Sequence, residues 1–196
     1  MSIETFADLS PWFEQQLDEA LTRRGVTAGE RTRAYLVDLL ARVGVGRDPD
    51  VLKTPLAIQL AEARSVMGEA ERLRRFRALG DDALYLRGFC TEHLEHRGIS
   101  AEYVATLGEA AYVQAGALAT RSAGRGVSEV YRELARKFAG LAEALDEIRE
   151  STVFRTPRDI VRLYDRWLKT HSPRIAERLT EEGVFPSLAP RTGVVH

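Results

Sequence analysis

The chain has 196 residues, is 44% hydrophobic and 29% charged, and carries a formal net charge of −1. That is enough apolar material for a real core, and too balanced a charge for a global pull toward nucleic acid or anionic lipid. A single cysteine, Cys90, excludes an internal disulfide; with no apolar leader and no stretch near the roughly 18 apolar residues of a membrane helix, the expected setting is the cytoplasm, with no membrane span.

In chain order, the first predicted helix opens at Ser10-Pro11, carries Trp12, Phe13, Leu17, Ala20 and Leu21 on one stripe, and stops near Gly25. A hydroxyl followed by proline marks a helix start, because the hydroxyl accepts from orphan amides and proline has no amide to leave unpaired. The same pair recurs at Thr54-Pro55, Thr156-Pro157 and Ser172-Pro173. The second helix begins with Thr27 and Glu30 as a capping box and shows Tyr35, Leu36, Leu39, Leu40 and Val43 before Gly44. The third runs from Pro55 to about Ala78, with Leu56, Leu60, Ala63, Met67 and Ala70 on one face and Gly80 as its stop. The fourth covers Asp82 to about His96, and the fifth Ala101 to about Thr120, with Ser100 as a cap. The sixth, which Ser128 caps, carries an a/d seam of Tyr131, Leu134, Phe138, Leu141, Leu145 and Ile148. A seventh starts at Pro157, and Ser172-Pro173 kinks it or begins an eighth. No alternating run long enough for a sheet is present. The expected fold class is therefore all-α: a compact single-domain bundle of seven or eight helices over residues 1–183, with 184–196 as an extended or mobile tail.

The fourth and fifth helices are joined by a short loop and should form an antiparallel hairpin. Pairing His96 with Glu102 sets Gly88 opposite Ala110 and Cys90 opposite Gly108. Each glycine costs about 1 kcal/mol against alanine in a helix interior, which close backbone approach offsets.

The stretch FCTEHLEHRG, residues 89 to 98, gathers Cys90, His93 and His96. On one helix these spread over roughly 120°, so only Cys90 and His93 can aim at one point, too few for structural zinc. No Glu-x-x-His pair exists, which removes the di-iron bundle pattern. His93 could serve a haem as single proximal ligand, but a partly buried, hydrogen-bonded histidine is the simpler account. Asp82, Tyr85, Tyr103, Glu109, Tyr112 and Gln114 lie on the two hairpin helices; if they turn inward with His93 they line a polar pocket. A basic stripe, Arg158, Arg162, Arg166 and Lys169, either pairs with Glu143, Asp146, Glu147 and Glu150 of the preceding helix or presents an anion surface. There is no phosphate loop and no nucleophile elbow, and no helix-turn-helix supports DNA binding.

Three readings follow. The first is a non-enzymatic interaction or regulatory protein, self-associating or partnered through helix faces, motivated by the seam and by Trp12, Phe13, Tyr164 and Trp167 near the two ends. The alternative is a small-ligand-binding protein for a lipid, metabolite or haem, with a pocket made by Tyr85, Cys90, His93, Tyr103 and Tyr112. The third is anion or nucleic-acid binding through Arg158, Arg162, Arg166 and Lys169. No catalytic, metal-ligating or cofactor-binding residue is assigned.

Overall fold

The computed structural model describes residues 3–46, 54–151 and 157–186. Among them the chain is helical throughout, in ten segments and with no strand: α1 (Ile3–Arg24), α2 (Glu30–Gly46), α3 (Leu56–Ser65), α4 (Glu69–Phe89), α5 (Thr91–His96), α6 (Ala101–Ser122), α7 (Arg125–Arg136), α8 (Phe138–Ser151), α9 (Pro157–Thr170) and α10 (Pro173–Glu181).

Ten replaces seven or eight because three predicted helices divide elsewhere. Gly80 is not a stop. α4 runs through it, which keeps Phe76, Leu79, Ala83, Leu84 and Leu86 on one continuous buried surface. The break falls at Gly68, extended at φ −86° and ψ 128°. Met67, expected on a buried face, stands beside it at 97% exposure. Cys90 leaves helical geometry at φ −125° and ψ 26°, so α5 splits from α4. The long sixth helix bends at Lys137, whose ammonium reaches the Thr27 carbonyl at 2.6 Å and Glu133 at 2.8 Å.

Four start signals also fail, among them Thr54-Pro55, where Pro55 and not Thr54 holds the N-cap position of α3 and no side chain caps it; Ser172-Pro173 does open α10, without a cap bond from the Ser172 hydroxyl. Pro11 lies inside α1, which begins well upstream, so Ser10 is not its cap. The expected capping box of Thr27 with Glu30 does not form: the first helical bond of α2 runs from Arg33 N–H to the Gly29 carbonyl. The Gly29 N–H instead donates to the Glu133 carboxylate of α7 at 3.2 Å. The cap of α2 thus comes from another helix, which sequence-local reasoning does not see. Ser100 does cap α6, accepting from the Tyr103 N–H. Ser128 is no cap; it is buried within α7, and its hydroxyl donates to the Gly116 carbonyl at 2.9 Å. Thr156 lies outside the described residues.

α4 and α6 form the centre and run in opposite directions: Gly80 meets Tyr112 and Ala83 meets Gly108. The close approach expected of the glycines occurs, with other partners. Ala83, not Cys90, stands beside Gly108, a shift of about two turns. The reason is local: the break at Cys90 and the short α5 take up chain that a continuous hairpin would have paired. Gly88 faces Leu145 of α8 instead. A Cβ on Gly80 would lie 2.7 Å from the Tyr112 ring, so the missing side chain is what lets that ring lie on the α4 backbone.

One continuous buried cluster joins α1 to α10. Trp12, Phe13, Tyr164 and Trp167 are all within it, at 6%, 1%, 1% and 6% exposure. These aromatics motivated an exterior interface; they are core, as is the Tyr131 to Ile148 seam. The Trp12 indole N–H also donates to the Glu182 carbonyl at 2.6 Å, tying α1 to the end of α10. Of the predicted tail, Val184 is buried against this end, and 187–196 lie outside the described residues. No helix among the described residues is long and apolar enough to cross a membrane.

Candidate functional site

The break at Cys90 decides what FCTEHLEHRG can do. Cys90 is 6% exposed, and burial pushes its thiol up to about 11, against a hydrogen bond from Tyr85 and the charge of Arg149. A thiol held protonated is a small core hydrophobe, not a nucleophile. α5 turns away from it, carrying His93 at its half-buried side and His96 into solvent, where His96 Nδ1 lies 2.7 Å from the Glu92 carbonyl. Among the described residues, no three side chains of His, Cys, Asp or Glu are gathered as for a metal ion.

His93 does border a crevice. It lies between α3, α5 and α6 and has a volume of about 160 Å³. Leu56 of α3, Leu86 of α4, Leu94 of α5 and Val104 of α6 form its apolar walls. Pro55, Ala57, Ile99 and Tyr103 form the rim, with His93 and Arg97 as its polar members. Ile99 is 37% exposed and Tyr103 48%, so the mouth is apolar and wet. Of the five residues grouped from the sequence, the structure brings His93 and Tyr103 together here. Tyr85 and Cys90 are buried on α4 and at its end, outside the crevice lining, and Tyr112 is fully buried elsewhere. Glu109 and Gln114, expected to turn inward, are exposed.

Tyr112 belongs to a second constellation, centred on Asp81 at 2% exposure. Asp81 Oδ1 accepts from the Tyr35 hydroxyl at 2.5 Å and the Tyr112 hydroxyl at 2.9 Å. Its Oδ2 faces Arg42 at 3.4 Å and Arg77 at 3.7 Å. Arg77 also donates to the Tyr35 hydroxyl at 3.1 Å and lies 5.3 Å over the Tyr35 ring. Burial pushes the Asp81 carboxyl above the usual carboxylate range, and the two phenols and two guanidiniums pull it back only in part. Burial and the Asp81 charge likewise raise the Tyr35 and Tyr112 phenols, which stay protonated donors. Here four side chains from α2, α4 and α6 satisfy one buried carboxyl.

Reading the sequence missed Asp81 because Gly80 was taken as a stop, which put Asp81 in a loop. Carrying the helix through Gly80 sets Asp81 one turn after Arg77, on the flank of the Leu84 face, where a lone carboxylate must find partners. Tyr35 and Tyr131 do lie on the apolar stripes predicted for them, but apolar periodicity says nothing of where a hydroxyl goes.

The basic stripe is also clearer. Arg162, Arg166 and Lys169 are exposed on α9 and form no ion pair among the described residues, while the Arg158 side chain lies outside what is described. Among the described residues the expected ladder is not seen: Asp146 and Glu150 pair with Arg149 of their own helix, and Glu147 pairs with Arg23 and Arg24 of α1. No family model matches this chain, and neither a curated protein nor a solved structure does.

Proposed function

We propose that this protein is a non-enzymatic interaction protein that receives one apolar anchor side chain of a partner polypeptide in the crevice beside His93. The carrying observation is the size and lining of that crevice. About 160 Å³ is close to the volume of a benzene-sized engineered cavity and below the roughly 300–1,000 Å³ of drug-sized ligand sites. It suits a leucine, isoleucine or phenylalanine side chain and is far too small for haem. Exposed Ile99 and Tyr103 at the mouth supply the surrounding apolar contact that excludes water around a buried anchor. The seam and the terminal aromatics no longer support an interface, so the partner surface moves to this site.

The test uses indole as a stand-in for the anchor. Indole titrated into methyl-labelled protein is expected to shift the methyls of Leu56, Leu86, Leu94 and Val104 saturably, and Ala57→Phe, at an exposed rim position, is expected to abolish those shifts while leaving the fold intact. A photoreactive benzoylphenylalanine placed at Tyr103 should cross-link to a polypeptide and lose that product in the Ala57→Phe background. Indole shifts spread over other sites, or unchanged by Ala57→Phe, overturn the reading.

A further inference from the structure

A second hollow lies at the opposite end of α6 from the crevice, where the N-terminal turns of α2 and α7 meet. It measures about 540 Å³, within the range of small-molecule sites. Val127 and Val130 form its apolar floor, and Tyr35, Tyr131 and Gly126 its walls, with Arg31 as the one charged residue that lines it.

Tyr131 is the unusual member. Its side chain is 5% exposed, stacked against Tyr112 with ring centroids 6.2 Å apart and edge-on to Tyr35 at 5.8 Å. Its hydroxyl has no hydrogen-bond partner among the described residues, although both neighbouring phenols bond to Asp81. The side chain is buried but its hydroxyl oxygen is reached by solvent, so this donor stands open to a ligand where its two neighbours are engaged. Burial raises this phenol, so it remains a neutral donor.

Two further features face the same hollow. No side chain caps α7, and its first helical bond is Ser128 N–H to the Gly124 carbonyl, so the preceding amides stay free at the positive end of the helix dipole. Arg31 forms no ion pair among the described residues, and its guanidinium rests directly on Gly126, well inside the distance a Cβ there would allow. The adjoining hollow, which Arg31 also lines, carries Glu30, Glu129 and Glu133 with Arg132 and Arg136, and these carboxylates close to Arg31 disfavour a polyanion there.

We infer that the hollow between α2 and α7 binds a small monocarboxylate with an apolar body, its carboxylate on Arg31 and the α7 amides, its body on Val127 and Val130, and its polar edge taking the Tyr131 hydroxyl. This site shares no residue with the His93 crevice, so either can fail without the other.

Phenylacetate and 4-hydroxyphenylacetate are the probes, titrated into the Ala57→Phe protein so that the crevice cannot take the apolar body, with the Val127 and Val130 methyls as reporters. Saturable shifts there are expected for at least one probe. Arg31→Gln should weaken binding of both acids by at least about tenfold, the scale of a hydrogen bond to a charged group, and Tyr131→Phe should weaken 4-hydroxyphenylacetate alone by a few-fold. Gly126→Ala removes the seat of the Arg31 guanidinium at a helix position that tolerates alanine, so it should weaken binding with thermal stability unchanged. Benzyl alcohol, which lacks the charge, and citrate, which has too much, should bind far more weakly. No saturable shift with either acid overturns the site, as does affinity indifferent to both Arg31→Gln and Tyr131→Phe.

Discussion

The Asp81 centre and the His93 crevice are both built on α4 and α6, one turn or two apart, and they are opposites. Around Asp81 the groups are polar, the carboxyl and Tyr112 buried and Tyr35, Arg42 and Arg77 partly so, and the carboxyl is held by two phenols and two guanidiniums. Around His93 they are apolar, the space is underfilled, and the rim is exposed. Removing a partner from a satisfied buried network leaves charges and donors stranded, whereas altering an underfilled crevice strands nothing. The first region should therefore govern stability and the second binding.

The largest expected effect is at the centre. Asp81→Ala leaves Tyr35 and Tyr112 without their acceptor and Arg42 and Arg77 without their nearest buried anion. It should cost about 2–6 kcal/mol in urea denaturation, about 1–3 for each phenol left without its acceptor, and leave indole binding at the crevice of the remaining folded protein unchanged. A cost near zero would break the comparison. Next, Gly108→Ala drives a Cβ into the Phe138 ring and towards Ala83, 2.8 Å away, and should cost about 1–3 kcal/mol as overpacking.

Two carboxyls sharpen the contrast through pH. Burial raises Asp81, so the folded state holds its proton more tightly than the unfolded chain; its contribution is fullest in acid and is lost as pH rises through the raised pKa. The stability gap between wild type and Asp81→Asn should therefore widen as pH falls from neutrality toward about 4. Glu133 goes the other way: burial pushes it up, but Lys137, the Thr32 hydroxyl and the Gly29 N–H together hold it below its usual value. Its contribution is present above the unfolded pKa and fades as pH falls through the folded one, so the gap to Glu133→Gln, about 1 kcal/mol at neutrality as for a helix cap, should shrink in acid. Parallel slopes for the two variants would contradict the assignment of both.

The smallest stability effects belong to the crevice. Tyr103→Ala, at an exposed rim, should change stability by no more than about 0.5 kcal/mol, yet weaken indole binding several-fold.

Much of the fold could be read from residue patterns, and much of the candidate site could not. Apolar spacing located the helical stripes, and Ser100 was correctly read as a cap, because both signals are local. The stop expected at Gly80 was misplaced because that glycine was read as a helix end and not as a site of close approach. At Gly80 it is instead a place for the Tyr112 ring, a long-range contact with no local mark. Trp12 and Trp167 looked available for a partner because a sequence does not show that α1, α9 and α10 close over them. His93 and Tyr103, two of the five residues grouped as a pocket, line one crevice, but Leu56 and Pro55, which complete it, come from the start of α3 and carry no polar signature. Asp81 escaped notice through the same glycine, and Glu133 because it caps a helix about 100 residues earlier.

The contrast between the two regions is tested most directly by xenon under pressure in crystals of the protein, since xenon enters apolar space and not satisfied polar space. Xenon is expected in the crevice among Leu56, Leu86, Leu94 and Val104, displaced in Ala57→Phe, and none beside Asp81. A crevice that stays without xenon, or xenon lodged against Asp81 and Tyr112, would contradict it.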